Sequence, residues 1–332
     1  MRLRLFTVAL LLAAAPTIPA LSQQQEQEQA PAGWQVPRTA WGDPDLTGMW
    51  PLDYLAATPR VRPEHFGTRA TLTDDEYEAA VKTAQQALEL GDKQDKVGIL
   101  GMGHWAERGL PLRQASLIVE PANGRYPALT EEGQRLAAAE KTSWNNEVFD
   151  WMDDFGIFDR CITRGMPSSM LPGAYNHGIE VRQAPGLVAI RLEMIHETRL
   201  VYLDGRPTPP PSVTDHLGFS RGHWEGDTLV IETSNFTPGV AAGPAPNSAQ
   251  MTVTERLTPT GPDTIRYEAW IRDPVVLTEP YKLDFPWQRD DAYQFFEYAC
   301  HEGNYSIRDY INATGSRFAA RRAAAMAAVP AE

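Results

Sequence analysis

The chain has 332 residues, 42% of them hydrophobic, which is enough for one large domain or two smaller ones with an apolar core. Its formal net charge is −13, from 43 acidic and 30 basic side chains. A surface this acidic repels nucleic-acid phosphates and anionic membranes, so neither is an expected partner. The 27 prolines, 25 glycines and 9 tryptophans favour a turn-rich, aromatic-rich fold over a helical bundle or a coiled coil.

Residues 1–22 have the pattern of a cleavable secretory signal. Arg2 and Arg4 supply a positive start, and residues 5–15 form an apolar run that is too short to span a bilayer. A membrane anchor is the alternative interpretation. Residues 23–33 are polar and of low complexity, which predicts a disordered leader. We therefore expect a periplasmic or secreted protein with no membrane span in the mature chain.

The sequence contains two cysteines, Cys161 and Cys300. In an exported chain such a pair is more readily explained as a disulfide than as two buried free thiols, which is the alternative. Closing a loop of about 140 residues would stabilise the fold by about 4–5 kcal/mol in the chain-entropy treatment. We predict a Cys161–Cys300 disulfide.

Helix and turn signals predominate in the first half of the chain. A capping box at Thr73–Glu76 opens a helix, and Gly91 is predicted to end it. A short strand is predicted over residues 116–120 and a short helix over 130–141. We interpret residues 55–175 as a helical insertion.

Two segments of this insertion were considered as binding sites. The glycine-rich residues 98–109 lack the spacing of dinucleotide or P-loop sites, so phosphate binding is not predicted there. Residues 144–158 interleave aromatic and acidic side chains. This pattern favours an amphipathic segment with an acidic solvent face, and a site for a cation or cationic ligand is the alternative.

From Gly178 onward, period-2 alternation and turn signals predict a series of strands. They cover residues 179–183, 187–195, 199–203, 221–224, 228–233, 251–257, 264–272, 277–285 and 293–300. Strands that follow one another in this way favour an antiparallel up-and-down meander, which closes most easily as a barrel. We therefore predict a mainly β fold, with one barrel domain over 34–315 and a C-terminal helix over 316–332.

Two glutamates are predicted to lie on apolar strand faces. Glu255 shares its face with Val253 and Leu257, and Glu297 shares its face with Tyr293 and Phe295. Buried carboxylates are costly unless they are paired or used in chemistry. Both could point into one barrel lumen as general acid or base. The alternatives are a Glu–Arg pair that locks neighbouring strands, or a register that places the glutamates in solvent.

We expect His196 to act as base or acid, with Glu255 and Glu297 sharing the proton and Arg199 or Arg221 stabilising negative charge. Ligand contacts are expected from a second group of residues, which consists of Glu193, Arg191, Tyr267, Trp50 and His301. The 7 histidines form no strong metal signature, and no nucleophile motif is present, so no metal or cofactor is predicted. A convergent zinc site is the alternative.

Several motifs together resemble a broad family of exported bacterial proteins, most of which have no assigned activity. They are WGDPDLTGMW at 41–50, LIVEPANGRYPAL at 117–129, EMIHETRLVYLDGR at 193–206, SRGHWEGDTLVIETSNF at 220–236 and EYACHEGNY at 297–305. More weakly, residues 46–50 and two hairpins resemble lipocalin-like (calycin) barrels, although the large insertion and the charged lumen positions depart from that pattern. The family resemblance implies functional positions without roles, at Glu193, His196, Arg199, Arg221, Glu255, Glu297, His301 and Glu302.

We therefore expect an exported barrel that binds a small, partly apolar organic ligand. Metal-independent acid–base chemistry of an isomerase, lyase or hydrolase is slightly favoured over carriage alone. A non-catalytic binding protein, or an envelope interaction protein that uses residues 144–158, is the alternative. A metal-dependent hydrolase is the third candidate.

Overall fold

The computed structural model describes residues 30–98, 109–173, 175–240 and 243–327. The predicted signal, most of the predicted leader and most of the glycine-rich loop lie outside these residues. None of the helices in the described ranges combines the length and the apolar character that a membrane crossing requires.

The described chain is mainly β and forms a curled, ten-stranded sheet with the shape of a half-barrel. The strands are Gly48–Met49 (β1), Ile118–Glu120 (β2), Ile179–Ala184 (β3), Leu187–Leu192 (β4), Thr198–Tyr202 (β5), Phe219–Glu225 (β6), Thr228–Ser234 (β7), Thr252–Gly261 (β8), Thr264–Arg272 (β9) and Tyr281–Gln288 (β10). Their order in the sheet is β1-β3-β4-β5-β6-β7-β8-β9-β10-β2. The predicted insertion thus contributes the edge strand β2, which pairs with β10.

The sheet is mixed, so the prediction of a fully antiparallel meander is wrong. Strands β5 and β6 pair in parallel, with Val201 opposite Ser220 and Tyr202 opposite Arg221. The connection 203–218 contains four prolines, which cannot continue a hydrogen-bonded hairpin ladder. The chain therefore returns to the end of the sheet at which β5 starts before β6 begins, and β6 runs parallel to β5. The order of the described strands also leaves β1 and β2 at opposite edges of the sheet.

The prediction of a last strand over residues 293–300 is also wrong. Residues 289–299 contain no strand, and Glu297 is exposed there. The reason is that β10 already has a partner on each side, since β9 pairs with one edge and β2 with the other. No hydrogen-bonding edge of β10 is left for a further strand.

The helices are Asp74–Lys96 (α1), Glu131–Ala139 (α2), Cys300–Gly303 (α3), Ser306–Thr314 (α4) and Ala319–Ala327 (α5), and short 3-10 turns occur at 53–55, 64–66, 152–154, 168–170, 194–196 and 316–318. The predicted capping box is confirmed, because the Glu76 carboxylate accepts from the Thr73 amide at 2.8 Å and the Glu76 amide donates to the Thr73 hydroxyl at 3.3 Å. The helix does not end at Gly91 but continues to Lys96.

The main core lies against the sheet, and alternate residues of the strands supply it. On β9, for example, Ile265, Tyr267, Ala269 and Ile271 are buried, as their period-2 spacing predicts. A smaller cluster of Phe149, Phe155 and Ile311 joins the segment around residue 150 to α4.

The predicted disulfide is present between Cys161 and Cys300, which are 139 residues apart in sequence. It attaches the start of α3 to the segment between β2 and β3. The described part of the C-terminal region is therefore held to the body both by apolar packing and by a covalent bond.

Candidate functional site

Arg199, Glu255 and Tyr267 form a buried polar network inside the curled sheet. The Arg199 guanidinium donates to both Glu255 oxygens, at 3.0 and 2.6 Å, and the Tyr267 hydroxyl donates to Glu255 Oε1 at 2.8 Å. Ser220 and Thr233 accept from Arg199 at 3.2 and 3.3 Å. Five successive strands, β5 to β9, thus each contribute one polar side chain.

This network is closed to solvent. The side chains of Arg199 and Glu255 are 1% and 0% exposed. Burial opposes the charge of Arg199, but Glu255 outweighs it and raises the Arg199 pKa. Burial, together with the Glu255 charge, raises the pKa of Tyr267. The contacts match the alternative of a satisfied Glu–Arg pair, although the partners belong to β5 and β8, which are not neighbours.

The other predicted catalytic residues lie elsewhere. His196 is exposed in the turn between β4 and β5, Glu297 is exposed in the segment after β10, and Arg221 is half-buried on β6. Within the described residues, no side-chain hydrogen bond or ion pair joins these three to Arg199 or Glu255.

The predicted ligand contacts are likewise dispersed. Trp50 is buried and donates to the Leu46 carbonyl at 3.0 Å. Arg191 is exposed, pairs with Glu180 at 3.3 Å and lies over the Phe295 ring, and His301 is exposed in α3. Tyr267 belongs to the buried network described above.

Glu193, another of the predicted ligand contacts, is buried, at 2% exposure. Strand β4 ends at Leu192, and the chain then turns so that Glu193 points inward. Its carboxylate accepts from Asn176 Nδ2, the Gly178 amide, the Tyr293 hydroxyl and the Phe296 amide at 2.6–3.1 Å. Glu193 thus ties the end of β4 to the segment after β10.

Glu193 lines a small polar pocket that we call the Arg164 pocket. Its walls are Arg164, Ser169, Asn176, His177, Gly178, Leu192, Glu193 and Met194. Arg164 Nη1 donates to His177 Nε2 at 2.5 Å and lies 3.3 Å from Met194 Sδ. Among the described residues, no carboxylate lies within ion-pair distance of Arg164. Burial and the charge of Arg60 lower the Arg164 pKa.

His177 is neutral in this pocket. Burial and the neighbouring Arg164 charge lower its pKa to about 3. Because a guanidinium can only donate, His177 Nε2 is the acceptor and the ring proton is on Nδ1. Nδ1 lies 4.0 Å from Asp53 Oδ1. His177 Nδ1, Ser169 Oγ and Asp53 Oδ2 are buried without a hydrogen-bond partner in the described structure.

Unusual backbone conformations occur close to this pocket. Asn176, Ile195 and His196 have φ values of 51°, 61° and 45°, which are rare for residues other than glycine and especially costly for a β-branched side chain. The neighbouring Cys161 has φ 57°. Such conformations persist where surrounding contacts require them, and they are frequent at functional sites.

Glu197 follows this turn and carries a shifted carboxyl group. Its pKa is raised to about 7, chiefly by burial and to a smaller extent by the nearby Asp215 charge, and hydrogen bonds from Thr163 and the Arg164 backbone oppose the shift. Thr163 Oγ1 donates to Glu197 Oε2 at 2.8 Å. Through this hydrogen bond, the Glu197 carboxyl, which titrates near neutral pH, is linked to the residue that precedes Arg164.

An open cleft of about 570 Å³ lies close to the Arg164 pocket. We call it the Arg60 cleft, and its walls are Leu55, Ala56, Thr58, Pro59, Arg60, Val61, Leu117, Tyr126, Pro172 and Gly243. Pro172 is one of its walls, and the next residue, Gly173, lies against the His177 ring, which belongs to the Arg164 pocket. The volume is within the range of small-molecule sites, and the walls are mostly apolar with a few polar groups.

Sequence reasoning missed Arg60, Arg164 and His177 as members of one site. All three lie outside the predicted strands, where period-2 alternation gives no information. His177 was noted only as one of the histidines, and its position between Asn176 and Gly178, just before β3, was the only local signal.

The described residues contain no group of three or more His, Cys, Asp or Glu side chains placed to hold a metal ion. The residues of the Arg164 pocket and the Arg60 cleft are therefore the basis for a functional proposal. Comparison of the chain with protein-family models, with curated proteins and with solved structures finds no match.

Proposed function

We propose that the protein binds a small, partly apolar organic molecule in the Arg60 cleft. The supporting observation is the cleft of about 570 Å³ beside a polar pocket with unpartnered buried atoms. Leu55, Val61, Leu117 and Pro172 offer an apolar surface, and Tyr126 adds an aromatic ring with a polar tip. This arrangement favours a ligand with an apolar body and at least one polar end.

The interior of the sheet is a less suitable place for the ligand. Large side chains such as Trp287, Phe285 and Tyr267 fill it, and the Arg199–Glu255 network already satisfies its charges. A close-packed interior leaves no space for an organic molecule. We therefore place the ligand in the surface cleft and not in the barrel lumen that the sequence suggested. The expected class of ligand is the same.

A neutral fluorescent probe, N-phenyl-1-naphthylamine, tests this site. The variant Ala56→Trp places an indole in the cleft and is expected to weaken probe binding at least about tenfold, because the added volume occupies the apolar wall. Ala324→Trp, at an exposed position on α5 that does not line the cleft, is the matched control and should bind as the wild type does. Equal binding by both variants would contradict the proposal.

Acid–base chemistry at the same site is a second candidate function. The neutral imidazole of His177, the Glu197 carboxyl with its pKa near 7 and the strained turn around His196 favour it. Compounds that copurify with the chain would be incubated with it and followed by mass spectrometry. Turnover that is lost in His177→Asn, with probe binding unchanged, would support an enzyme over a carrier.

We also propose that the protein is exported and that its half-barrel is related to the calycin barrels. The disulfide supports an oxidising compartment, and the curled sheet supports a barrel-like ancestry. Mass spectrometry of periplasmic and cytosolic fractions tests the first point, since export requires a mature chain that lacks residues 1–22.

A further inference from the structure

We infer that the ligand of the Arg60 cleft is an organic anion whose carboxylate is held by Arg164 and Arg60. This inference rests on the proposed function and gives the ligand a charge. Its starting point is that Arg164 is half-buried and forms no ion pair with a carboxylate among the described residues.

The charge balance of this region is the first argument. A buried guanidinium is stable when a carboxylate or another anion compensates it. Of the two nearly fully buried arginines in the described chain, Arg199 has such a partner in Glu255 at 2.6 Å, whereas Arg62 donates to the Ala122 carbonyl at 2.7 Å. Arg164 instead faces a neutral imidazole, a thioether and the Phe158 ring.

Arg60 adds a second positive charge to the same place. It lines the cleft, and its charge lowers the pKa of both Arg164 and His177. The Glu193 carboxylate also lines the Arg164 pocket, but four other donors already hold it, so it forms no ion pair with Arg164. An anion bound between the two guanidinium groups would remove their repulsion and gain charge-assisted hydrogen bonds.

The neighbouring unpartnered atoms are an independent second argument. Ser169 Oγ and His177 Nδ1 have no hydrogen-bond partner of normal geometry, although the Tyr175 backbone lies close enough to raise the His177 pKa and Asp53 Oδ1 lies 4.0 Å from Nδ1. Both groups can donate to a carboxylate oxygen. Native proteins rarely leave such donors unsatisfied, so their presence beside Arg164 indicates a polar ligand group or ordered water at this position.

The apolar part of the cleft then specifies the rest of the ligand. Val61, Leu117 and Pro172 line the wall beyond Arg60, and they would cover a hydrocarbon chain or ring. The arrangement therefore fits a medium-length fatty acid or an arylalkanoic acid better than an inorganic anion.

Octanoate and 1-octanol form a matched pair of probes, because they share the chain and differ in the charged end. Each is titrated against wild-type protein that carries N-phenyl-1-naphthylamine. We expect octanoate to displace the dye at a concentration at least about tenfold lower than octanol does, and the preference to shrink as salt is raised. Octanoate that is no better than octanol would overturn the inference, even if the dye binds.

Two arginine variants locate the carboxylate. Arg164→Met is expected to weaken octanoate binding about 10- to 100-fold and to leave octanol unchanged. Arg60→Gln should act in the same direction, and because Arg60 is half-buried at the cleft wall it leaves the packing around Arg164 intact. Arg182→Gln, on an exposed β3 arginine that pairs with Glu180, is the control and should have no effect. An unchanged octanoate preference in Arg60→Gln would overturn the role of the arginines.

Failure of the proposed function gives a different result. In that case the dye does not bind, and titration calorimetry with octanoate alone shows no heat in any variant. Dye binding without an octanoate preference would instead retain the cleft and reject the anion.

Discussion

Protonation of the Glu197 carboxyl group affects the stability of the fold. Its pKa is about 7 in the folded chain, against an ordinary value of 4.5. The folded state therefore keeps a proton that the unfolded state releases as the pH rises from about 4.5 to 7. Stability contributed by this group is complete below pH 4.5 and is lost as the pH rises through 7.

Replacing Glu197 with Gln is expected to remove this loss while keeping an acceptor for Thr163. Between pH 5 and 8 the free energy of unfolding of the wild type should fall relative to the variant by about 1–3 kcal/mol. Denaturant unfolding at several pH values measures this difference. Glu147→Gln, at an exposed position, is the control, and parallel pH curves for wild type and Glu197→Gln would refute the expectation.

His177 contributes with the opposite sign. Its pKa is about 3 in the folded chain and 6.5 ordinarily, so the unfolded state takes up a proton that the folded state refuses. Stability from this group is lost as the pH falls from 6.5 toward 3. Because wild type and Glu197→Gln share His177, its effect cancels in the comparison above.

At the scale of elements, the polar network of Arg199, Glu255 and Tyr267 links strands β5 to β9. A shift of one residue in any of these strands would turn its polar side chain to the other face of the sheet. The charged groups of the network would then lose a hydrogen-bond partner and face apolar side chains. The network therefore favours one register in a sheet whose other interior contacts are apolar and less specific.

Replacing one member of the buried Arg199–Glu255 pair should lower the free energy of unfolding more than replacing both members. Glu255→Leu or Arg199→Met alone is expected to destabilise the fold by about 3–5 kcal/mol, because each leaves an unpaired buried charge. The double variant Arg199→Met with Glu255→Leu should recover most of that loss. Chemical denaturation of the four proteins measures the coupling.

Arg256→Met serves as the comparison for this experiment. Arg256 pairs with Glu225 at 2.7 Å, but this pair is far more accessible to solvent than the buried one, with side chains 32% and 51% exposed. Its loss should cost no more than about 1 kcal/mol. Additive effects of the two buried substitutions would show that Arg199 and Glu255 do not stabilise the fold as a pair.

At the scale of the whole molecule, the disulfide joins parts of the chain that share little apolar packing. Beyond Gln288 the small cluster of Phe149, Phe155 and Ile311 is the principal buried contact of the C-terminal helices. A covalent bond across 139 residues restricts the unfolded chain more strongly than a short loop would.

The variant with Cys161→Ser and Cys300→Ser should therefore unfold more easily, by about 4–5 kcal/mol in the chain-entropy treatment. Denaturant midpoints with and without reductant measure this, and reductant should shift the wild type toward the variant. Thiol titration is used to confirm that the wild type is fully reduced. If its denaturation midpoint is then unchanged, the expectation is contradicted.

Local patterns predicted much of the secondary structure. Alternation identified β3 to β9 with small errors at their ends, and the capping box located the start of α1. Glu255 was correctly assigned to an apolar face. These features depend on residues a few positions apart, so period and capping chemistry suffice to find them.

Strand pairing and the candidate site could not be found in this way. Residues 293–300 alternate as a strand does, yet β2, from more than 160 residues earlier in the chain, occupies the edge that such a strand would need. Arg60, Arg164 and His177 come from three separate segments without periodicity, so no local signal joins them. Only the tertiary structure shows that Arg164 forms no ion pair with a carboxylate among the described residues.

The sequence by itself determined the mainly β character, the buried faces of the strands, the cysteine pairing and the acidic charge, because each follows from composition or from short-range spacing. The tertiary structure alone decided the parallel β5–β6 pair, the partner of Glu255 and the position of the cleft. Those features depend on which distant segments compete for the same sheet edge or the same buried charge, and that competition is settled by the packing of the whole chain.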